Sequence, residues 1–420
     1  MRFQGPGTPF RARVVVPGDK SLSHRSLILA AMAAGTSRIA NLGPGQDVAA
    51  TRAALRELGA TISGESVMST GFDRWSPPSR TIDAANSATT MRLIAGAVAG
   101  RPFTTTIVGD SSLMARPMKR LVGPLQALGA SVTVSPSGTP PLSVTGAPLR
   151  GAPLVIPIPS AQVRTACALA AIQAEGVSTL ESPAGYRDHT ERWLSHLGLG
   201  TGLPDGRFEV RPGPVPSLDV SIPGDPSAAA FLWVAAAILP GAEIETPGVS
   251  LNPGRTGLLA ALGAMGARID AVVTGDVLGD PVGDVRVFGA PLRGIRIGGV
   301  EAVRTIDELP ALAIAAAHAA GRTTVTGAGE LGAKESDRIE ATVSMIRSLG
   351  GDAEVSGDGF EVAPTRLVGG AVDARGDHRI AMAAATAAVT GSAVEVDGFG
   401  IAGVSWPGFA ESLEAMWSSR

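Results

Sequence analysis

Two side chains are almost missing from this sequence: 420 residues contain one cysteine, Cys167, and one tyrosine, Tyr186. A single thiol excludes an internal disulfide and any cysteine-built zinc cage. Aromatic residues make up only 4% of the chain, too few for a surface that stacks single-stranded nucleic acid. Charge of one sign is missing too. The 35 Lys and Arg face 38 Asp and Glu, net −3, so no general basic field awaits a polyanion. The most apolar run, Ala228 to Leu239, is too short to span a bilayer. Ser26 to Gly35 could pass for a signal-peptide core, but it follows Lys20, His24 and Arg25 too late in the chain. The five histidines (His24, His189, His196, His318, His378) form no i, i+4 pair for a metal. These absences lead us to expect a cytoplasmic monomer that works without nucleic acid, membrane, metal or cofactor.

What is present is a globular composition, 45% apolar and 17% charged, with 54 Gly and 31 Pro to make turns. Small-residue helices run up to Gly35, Gly100, Gly176, Gly241, Gly321 and Gly391, each followed by a β-rich stretch such as Thr104–Val108 or Ala393–Val396. A second series falls at Gly59, Gly129, Gly198, Gly266 and Gly350. Glycine at C′ accepts the left-handed conformation that closes a helix, so both series read as helix ends. The period is about 70 residues, too long for a solenoid and too short for independent domains. The implied unit is strand–helix–strand–helix–strand, used six times, three per domain. Runs such as Ala313–Ala317 are apolar all round, which predicts helices buried on every side.

Chemistry-bearing residues gather at helix starts. Pro17 to Arg25 places Lys20, Ser21 and Ser23 in a first helical turn with Arg25 a turn later, an anion site by composition. Asp19 stands where a Walker A loop needs glycine, so it is not that motif. Asn86 to Arg92 and Pro159 to Arg164 are further polar helix starts, and Gly109 to Met118 reads as a loop carrying Arg116. Each alone is ordinary capping; together they read as one composite anion pocket. In the second half, Asp307-Glu308 open a wholly apolar helix, where a carboxylate suits the dipole and also a proton acceptor. Lys334 to Arg338 reads either as a site or as a solvated charged first turn. Gly376-Asp377-His378-Arg379 precedes another apolar helix. Gly327 to Gly332 matches G-x-G-x-x-G, but Asp352 precedes the next strand and Lys334-Glu335 crowd the dinucleotide position, so that motif is rejected. Cys167 and His318 read as core residues.

In order, PGDKSLSHRS, NSATTMRL, GDSSLMARPM, SAQVRTA, RDHTER, DELPALA, KESDRI and GDHRIAM resemble the enolpyruvyl transferases from about Pro17 to Pro407. They resemble the branch acting on shikimate 3-phosphate; the nucleotide-sugar branch carries a reactive Cys in the loop matching Ser111 to Arg116. The resemblance implies an α/β, two-domain inside-out α/β barrel of six βαβαββ units. It puts 21–224 in one lobe and 1–20 with 225–420 in the other, with the active site in a cleft that closes on substrate. It also implies phosphoenolpyruvate held by Lys20, Arg116, Arg338 and Arg379 with Ala88 and Gln162 at its edge. Shikimate 3-phosphate would be held by Ser21, Arg25, Ser160, Gln162, Asp307 and Lys334. Catalysis would fall to Lys20, Asp307 and Glu335. Ala88 stands where most members have glycine, which implies tolerance of glyphosate, the family's inhibitor. Tyr186 stands where most have serine, a ligand of the shikimate phosphate. Two other readings stay open: a different phosphorylated alcohol as acceptor, or a non-catalytic binding protein on the same fold, the latter disfavoured by Asp307, Lys334 and Glu335 together.

Overall fold

The computed structural model describes residues 1–418, which fall into two compact units. One comprises Gly18–Ile222 with the short segment Asp276–Asp280; the other comprises Met1–Pro17, Pro223–Gly275 and the chain from Pro281 on. Nothing in the sequence marks Asp276–Asp280 for the first unit. It belongs there because Asp280 is buried against His189, Nδ1 to Oδ2 at 2.9 Å, while Arg192 donates to the Gly279 carbonyl at 3.2 Å.

Among the described residues each unit holds three small sheets, and five of the six share a four-stranded plan. Ile82–Asp83 runs parallel to Thr104–Val108, which pairs antiparallel with Leu142–Thr145, itself antiparallel to Ser131–Thr133. The same plan recurs with Pro153–Val155, Ser178–Glu181, Phe208–Val210 and Gly200–Gly202. It recurs again with Arg296–Ile297, Thr323–Val325, Gly359–Ala363 and Asp352–Ser356. In two sheets the parallel edge strand comes from far along the chain: Asp219–Ser221 beside Ala34–Ala40, and Arg11–Arg13 beside Glu243–Ser250. The sixth sheet is three-stranded, with Arg2–Gln4 antiparallel to Ala393–Asp397. This is the expected sixfold repeat. None of the six sheets closes on itself, and helices form the buried centres.

One helix of each repeat lies inside: Lys20–Met32, Ala88–Val98 and Ala161–Ala171 in one unit, Pro226–Ala237, Leu309–Ala317 and His378–Ala387 in the other. Alanine dominates them because helices packed on several sides must approach closely. A Cβ on Gly96 would lie 2.1 Å from the Ala166 carbonyl oxygen of the neighbouring helix. The two glycine series differ. Gly59, Gly129, Gly198 and Gly350 follow directly on a helix C-cap and Gly266 is one, all with positive φ. In the first series only Gly391 closes a helical turn directly. Gly35 already lies in a strand, Gly176, Gly241 and Gly321 sit a few residues past their helix ends, and Gly100 has no positive φ. The sequence marks the turn into the strand there, not the helix cap.

Polar residues of an all-round apolar helix have one place to go, its first turn. Asp19, Ser87, Ser160, Asp225 and Asp377 each accept a hydrogen bond from a backbone N–H of their own helix. Glu308, at the start of the sixth, does not.

Replacing Gly96 with Ala is expected to destabilise the protein by about 3 kcal/mol, since the added methyl meets a backbone carbonyl that cannot rotate away. Urea unfolding of the two proteins checks this, and an unchanged midpoint would show that the helices can separate at no cost.

Candidate active site

In the unit built on Gly18–Ile222, the expected residues are joined by a network of short polar contacts. Asp19 caps the helix that carries Lys20, Ser21 and Arg25, accepting from the Leu22 N–H at 2.8 Å. Gly18 lets this turn form, because a Cβ there would sit 1.8 Å from the Asn41 carbonyl oxygen. Lys20 Nζ contacts Asp47 Oδ2 at 3.0 Å, and the Asp47 carbonyl accepts from Thr90, one turn along the helix that begins at Ala88. The Ala88 methyl is buried. Gln162 donates to Thr89 Oγ1 at 2.8 Å and accepts from Arg92 Nη1 at 2.5 Å. Arg116 donates to Asn86 Oδ1 at 2.9 Å, and the segment before it is a one-turn helix, Ser111–Met114, not the expected loop. Arg25 Nε donates to Thr190 Oγ1 and Nη2 to Thr165 Oγ1, both at 2.8 Å, with Nη1 on the Ser21 carbonyl at 2.9 Å. Ser160 caps the helix of Gln162 and Thr165. Lys20, Ser21, Arg25, Ala88, Arg116, Ser160 and Gln162 therefore belong to one cluster.

Three features of that cluster escaped sequence reasoning. Asp47, Arg92 and the Thr165–Thr190 pair lie outside the assigned roles; places within the quoted segments could have pointed to Arg92, Thr165 and Thr190, and nothing in the sequence to Asp47. Arg164 is buried against Glu191, Nε to Oε1 at 2.5 Å, and the Tyr186 ring stacks 4.1 Å from its guanidinium carbon. Burial, then Glu191, pushes the Tyr186 phenol above its usual range, so the ring stays neutral. Burial likewise pushes the Cys167 thiol up to about 12 against the pull of Arg164, as suits a core residue.

In the other unit, Lys334 to Arg338 is not a solvated first turn. Asp337 caps the helix Arg338–Ser348, and Arg338, at its first position, is 1% exposed. Three carboxylates surround the Arg338 guanidinium: Asp377 Oδ2 at 2.7 Å, Asp307 Oδ1 at 3.1 Å and Glu335 Oε2 at 2.5 Å. Burial works against its charge, but Asp377, Glu335 and Asp307 outweigh that and push its pKa up. Burial also works against the Asp377 carboxylate, and Arg338 overcomes it to hold that group below the usual range. Lys334 Nζ lies 3.3 Å from the same Asp307 Oδ1, so one oxygen of Asp307 is shared by two cations. Arg379 donates from Nη1 to the Asp307 carbonyl at 3.0 Å and keeps its Nη2 3.9 Å from Asp307 Oδ2. Asp307, Lys334, Glu335, Arg338 and Arg379 thus form a second cluster, with Asp377 as the member sequence reasoning quoted but did not assign. Gly327 to Gly332 leads into a short 3₁₀ turn, Gly329–Ala333, which gives a pyrophosphate no helix to dock on.

Side-chain-capped helices carry six cations, Lys20, Arg25, Arg92, Arg164, Arg338 and Arg379, with carboxylates beside several of them, a donor set that suits an enzyme of multiply charged anions. The family model for EPSP synthase (3-phosphoshikimate 1-carboxyvinyltransferase) matches residues 5–413. The 3-phosphoshikimate 1-carboxyvinyltransferase of Acidithiobacillus ferrooxidans is 44% identical over 91% of this chain and 90% of its own length. That of Halorhodospira halophila is 43% identical over 98% and 95%. The solved EPSP synthase of Acinetobacter baumannii superposes with a TM-score of 0.87 at 34% identity, covering 99% of this chain and 98% of that one. The chain belongs to the EPSP synthase family.

His24 shares a helix with Lys20 and Arg25 and donates to or accepts from Thr51 Oγ1 at 2.7 Å. Burial first, then the charges of Lys20 and Arg25, hold its pKa well below 6.5. The unfolded chain therefore binds a proton near pH 6 that the folded chain refuses, and stability falls as pH drops below about 6.5, by up to about 1.4 kcal/mol per unit. His24→Gln should flatten that slope in urea unfolding at pH 7, 6 and 5; parallel slopes for the two proteins would remove His24 as the cause.

Proposed function

We propose that this protein transfers the enolpyruvyl group of phosphoenolpyruvate to the 5-hydroxyl of shikimate 3-phosphate and releases phosphate. The observation that carries the reading is Asp307, a carboxylate at the mouth of an apolar helix, held in place by Lys334 and Arg338. Both substrates bring a phosphate and a carboxylate, and the two clusters supply the cations such charge demands. Lys20, Arg116, Arg338 and Arg379 serve phosphoenolpyruvate, with Ala88 and Gln162 at its edge. Ser21, Arg25, Ser160, Gln162, Asp307 and Lys334 serve shikimate 3-phosphate.

Protonation of the phosphoenolpyruvate methylene makes C2 electrophilic. The 5-hydroxyl attacks C2 as its proton passes to a base, giving a tetrahedral intermediate. Loss of phosphate and of one methyl proton then restores the double bond in the product enol ether. Asp307 takes the hydroxyl role, and Glu335 with Lys20 handle the carbon-bound proton. Each such role is worth about 10²–10⁴-fold in rate. Guanidinium and ammonium groups stabilise the developing charge electrostatically. The proposal includes a cytoplasmic, monomeric enzyme; among the described residues no helix is long and apolar enough to cross a membrane.

Phosphate release measured with phosphoenolpyruvate plus shikimate 3-phosphate, against other phosphorylated alcohols, tests the assignment. Release only with another acceptor would replace it. Lys20→Met is expected to cut turnover by at least about 10²-fold with the fold intact, through loss of one charge-assisted contact and of acid/base help. Near-normal turnover would take Lys20 out of the site.

Ala88 gives a second test of this reading. Its buried methyl opens the helix expected at the phosphoenolpyruvate edge, and glyphosate is the longer molecule. A one-carbon clash in a packed site is worth about 10–200-fold in discrimination. The protein should therefore tolerate glyphosate, and Ala88→Gly should restore inhibition while leaving the KM for phosphoenolpyruvate unchanged or slightly lower. Equal and strong inhibition of both proteins would show that the methyl points elsewhere.

A further inference from the structure

Of the six inner helices, only Leu309–Ala317 starts at a polar residue whose side chain caps nothing in its own helix. That residue, Glu308, is 2% exposed. Its Oε1 accepts a short hydrogen bond from the Ser227 hydroxyl and lies 3.6 Å from Arg379 Nη1. Its Oε2 accepts no hydrogen bond among the described residues. The Ser227 hydroxyl in turn accepts from Arg255 Nη2 at 2.7 Å, and the same nitrogen donates to Asp225 Oδ1 at 2.7 Å. All of these side chains belong to one unit and all are buried.

Charges alternate along the line: Asp225, Arg255, then through the Ser227 hydroxyl to Glu308 and Arg379. A buried carboxylate is costly unless cations face it and its oxygens are satisfied. Glu308 gives up a helix cap and half of its hydrogen bonding, and what its position provides in exchange is a fixed negative charge behind Arg379. The other restraint on that guanidinium is the neighbouring Asp307, through its carbonyl at 3.0 Å and more weakly its carboxylate. Without Glu308, Arg379 would be drawn to the Asp307 carboxylate that the chemistry needs.

We infer that Glu308 is a positioning residue: it holds the Arg379 guanidinium off the Asp307 carboxylate and oriented for the anionic group of phosphoenolpyruvate. The Asp225–Arg255–Ser227 line fixes Glu308 in turn. The inference rests on the reading that Arg379 serves phosphoenolpyruvate.

Steady-state kinetics of Glu308→Gln and Ser227→Ala, with melting temperatures, test it. Glutamine keeps the shape and can still accept from Ser227 but carries no charge toward Arg379. The expected result is a KM for phosphoenolpyruvate raised about tenfold or more in Glu308→Gln, with the KM for shikimate 3-phosphate within about twofold of the original. Ser227→Ala should move the same constant in the same direction by less. An unchanged KM for phosphoenolpyruvate in a folded Glu308→Gln, or a parallel rise in both constants with a lowered melting temperature, would overturn the positioning role. If Glu308→Gln does not fold, Ser227→Ala decides by the same split. Wild-type protein that releases no phosphate from the two substrates would remove the functional reading itself, and the inference with it; active wild type with indifferent variants removes the inference alone.

Discussion

Burying a helix on all sides dictates where its polar residues can be. The second halves of the inner helices of both units carry no charged residue, and close approach at positions such as Gly96 leaves room there only for a small one. Backbone N–H groups at each helix start still need partners, and a capping side chain is the local way to supply them. Capping oxygens and first-turn cations therefore gather at the same end of each inner helix. The functional clusters are built from that end: Asp19 with Lys20, Ser87 with Ala88, Ser160 with Gln162, Asp377 with Arg379.

The second constraint is electrostatic. Each unit gathers several cations at its helix starts, and buried charges are costly unless they are paired. The answer here is to pair each cation with a carboxylate or a polar neighbour. Lys20 rests on Asp47, and Arg338 sits among Asp377, Asp307 and Glu335. The degree of pairing then separates roles among residues that look alike in sequence. Arg338, 1% exposed, is enclosed by three carboxylates and ties Asp307, Glu335 and Asp377 to one guanidinium. The Arg379 guanidinium has no carboxylate oxygen nearer than 3.6 Å among the described residues, with Glu308 on one side and Asp307 at 3.9 Å, and its closest contact is the neutral Asp307 carbonyl.

Much of this was legible before the structure. The sixfold repeat showed in the glycines because a left-handed residue is needed wherever a helix stops and a strand begins, and Gly59, Gly129, Gly198 and Gly350 occupy that position. Gly100 misled because a small residue also suits a helix crowded by Gln173, a packing reason that leaves no mark distinct from a turn. The residues of the two clusters were legible where they sat in short, dense motifs. Asp47 was not, because it lies 27 positions from Lys20 and reaches it only through the fold. Lys334 to Arg338 was ambiguous for a similar reason: a run of charges looks the same whether it faces water or three carboxylates from distant segments. Asp276–Asp280 is the clearest case. Its place depends on a buried partner, His189, that no periodicity could announce.

Asp307 and Glu308 show how one helix start can give two adjacent carboxylates different surroundings. They are adjacent, yet the helix start turns one side chain toward Lys334 and Arg338 and the other toward Ser227 and Arg379. Asp307 keeps partial exposure, and one of its oxygens is shared by Lys334 and Arg338. Glu308 is buried, and its partners Ser227 and Arg379 tie it to the line that ends at Asp225. A buried carboxylate with cations on that line is fixed in place, since moving it would break contacts at both ends. One backbone turn thus sets a partly exposed carboxylate and a buried one side by side, with the Arg379 guanidinium within reach of both.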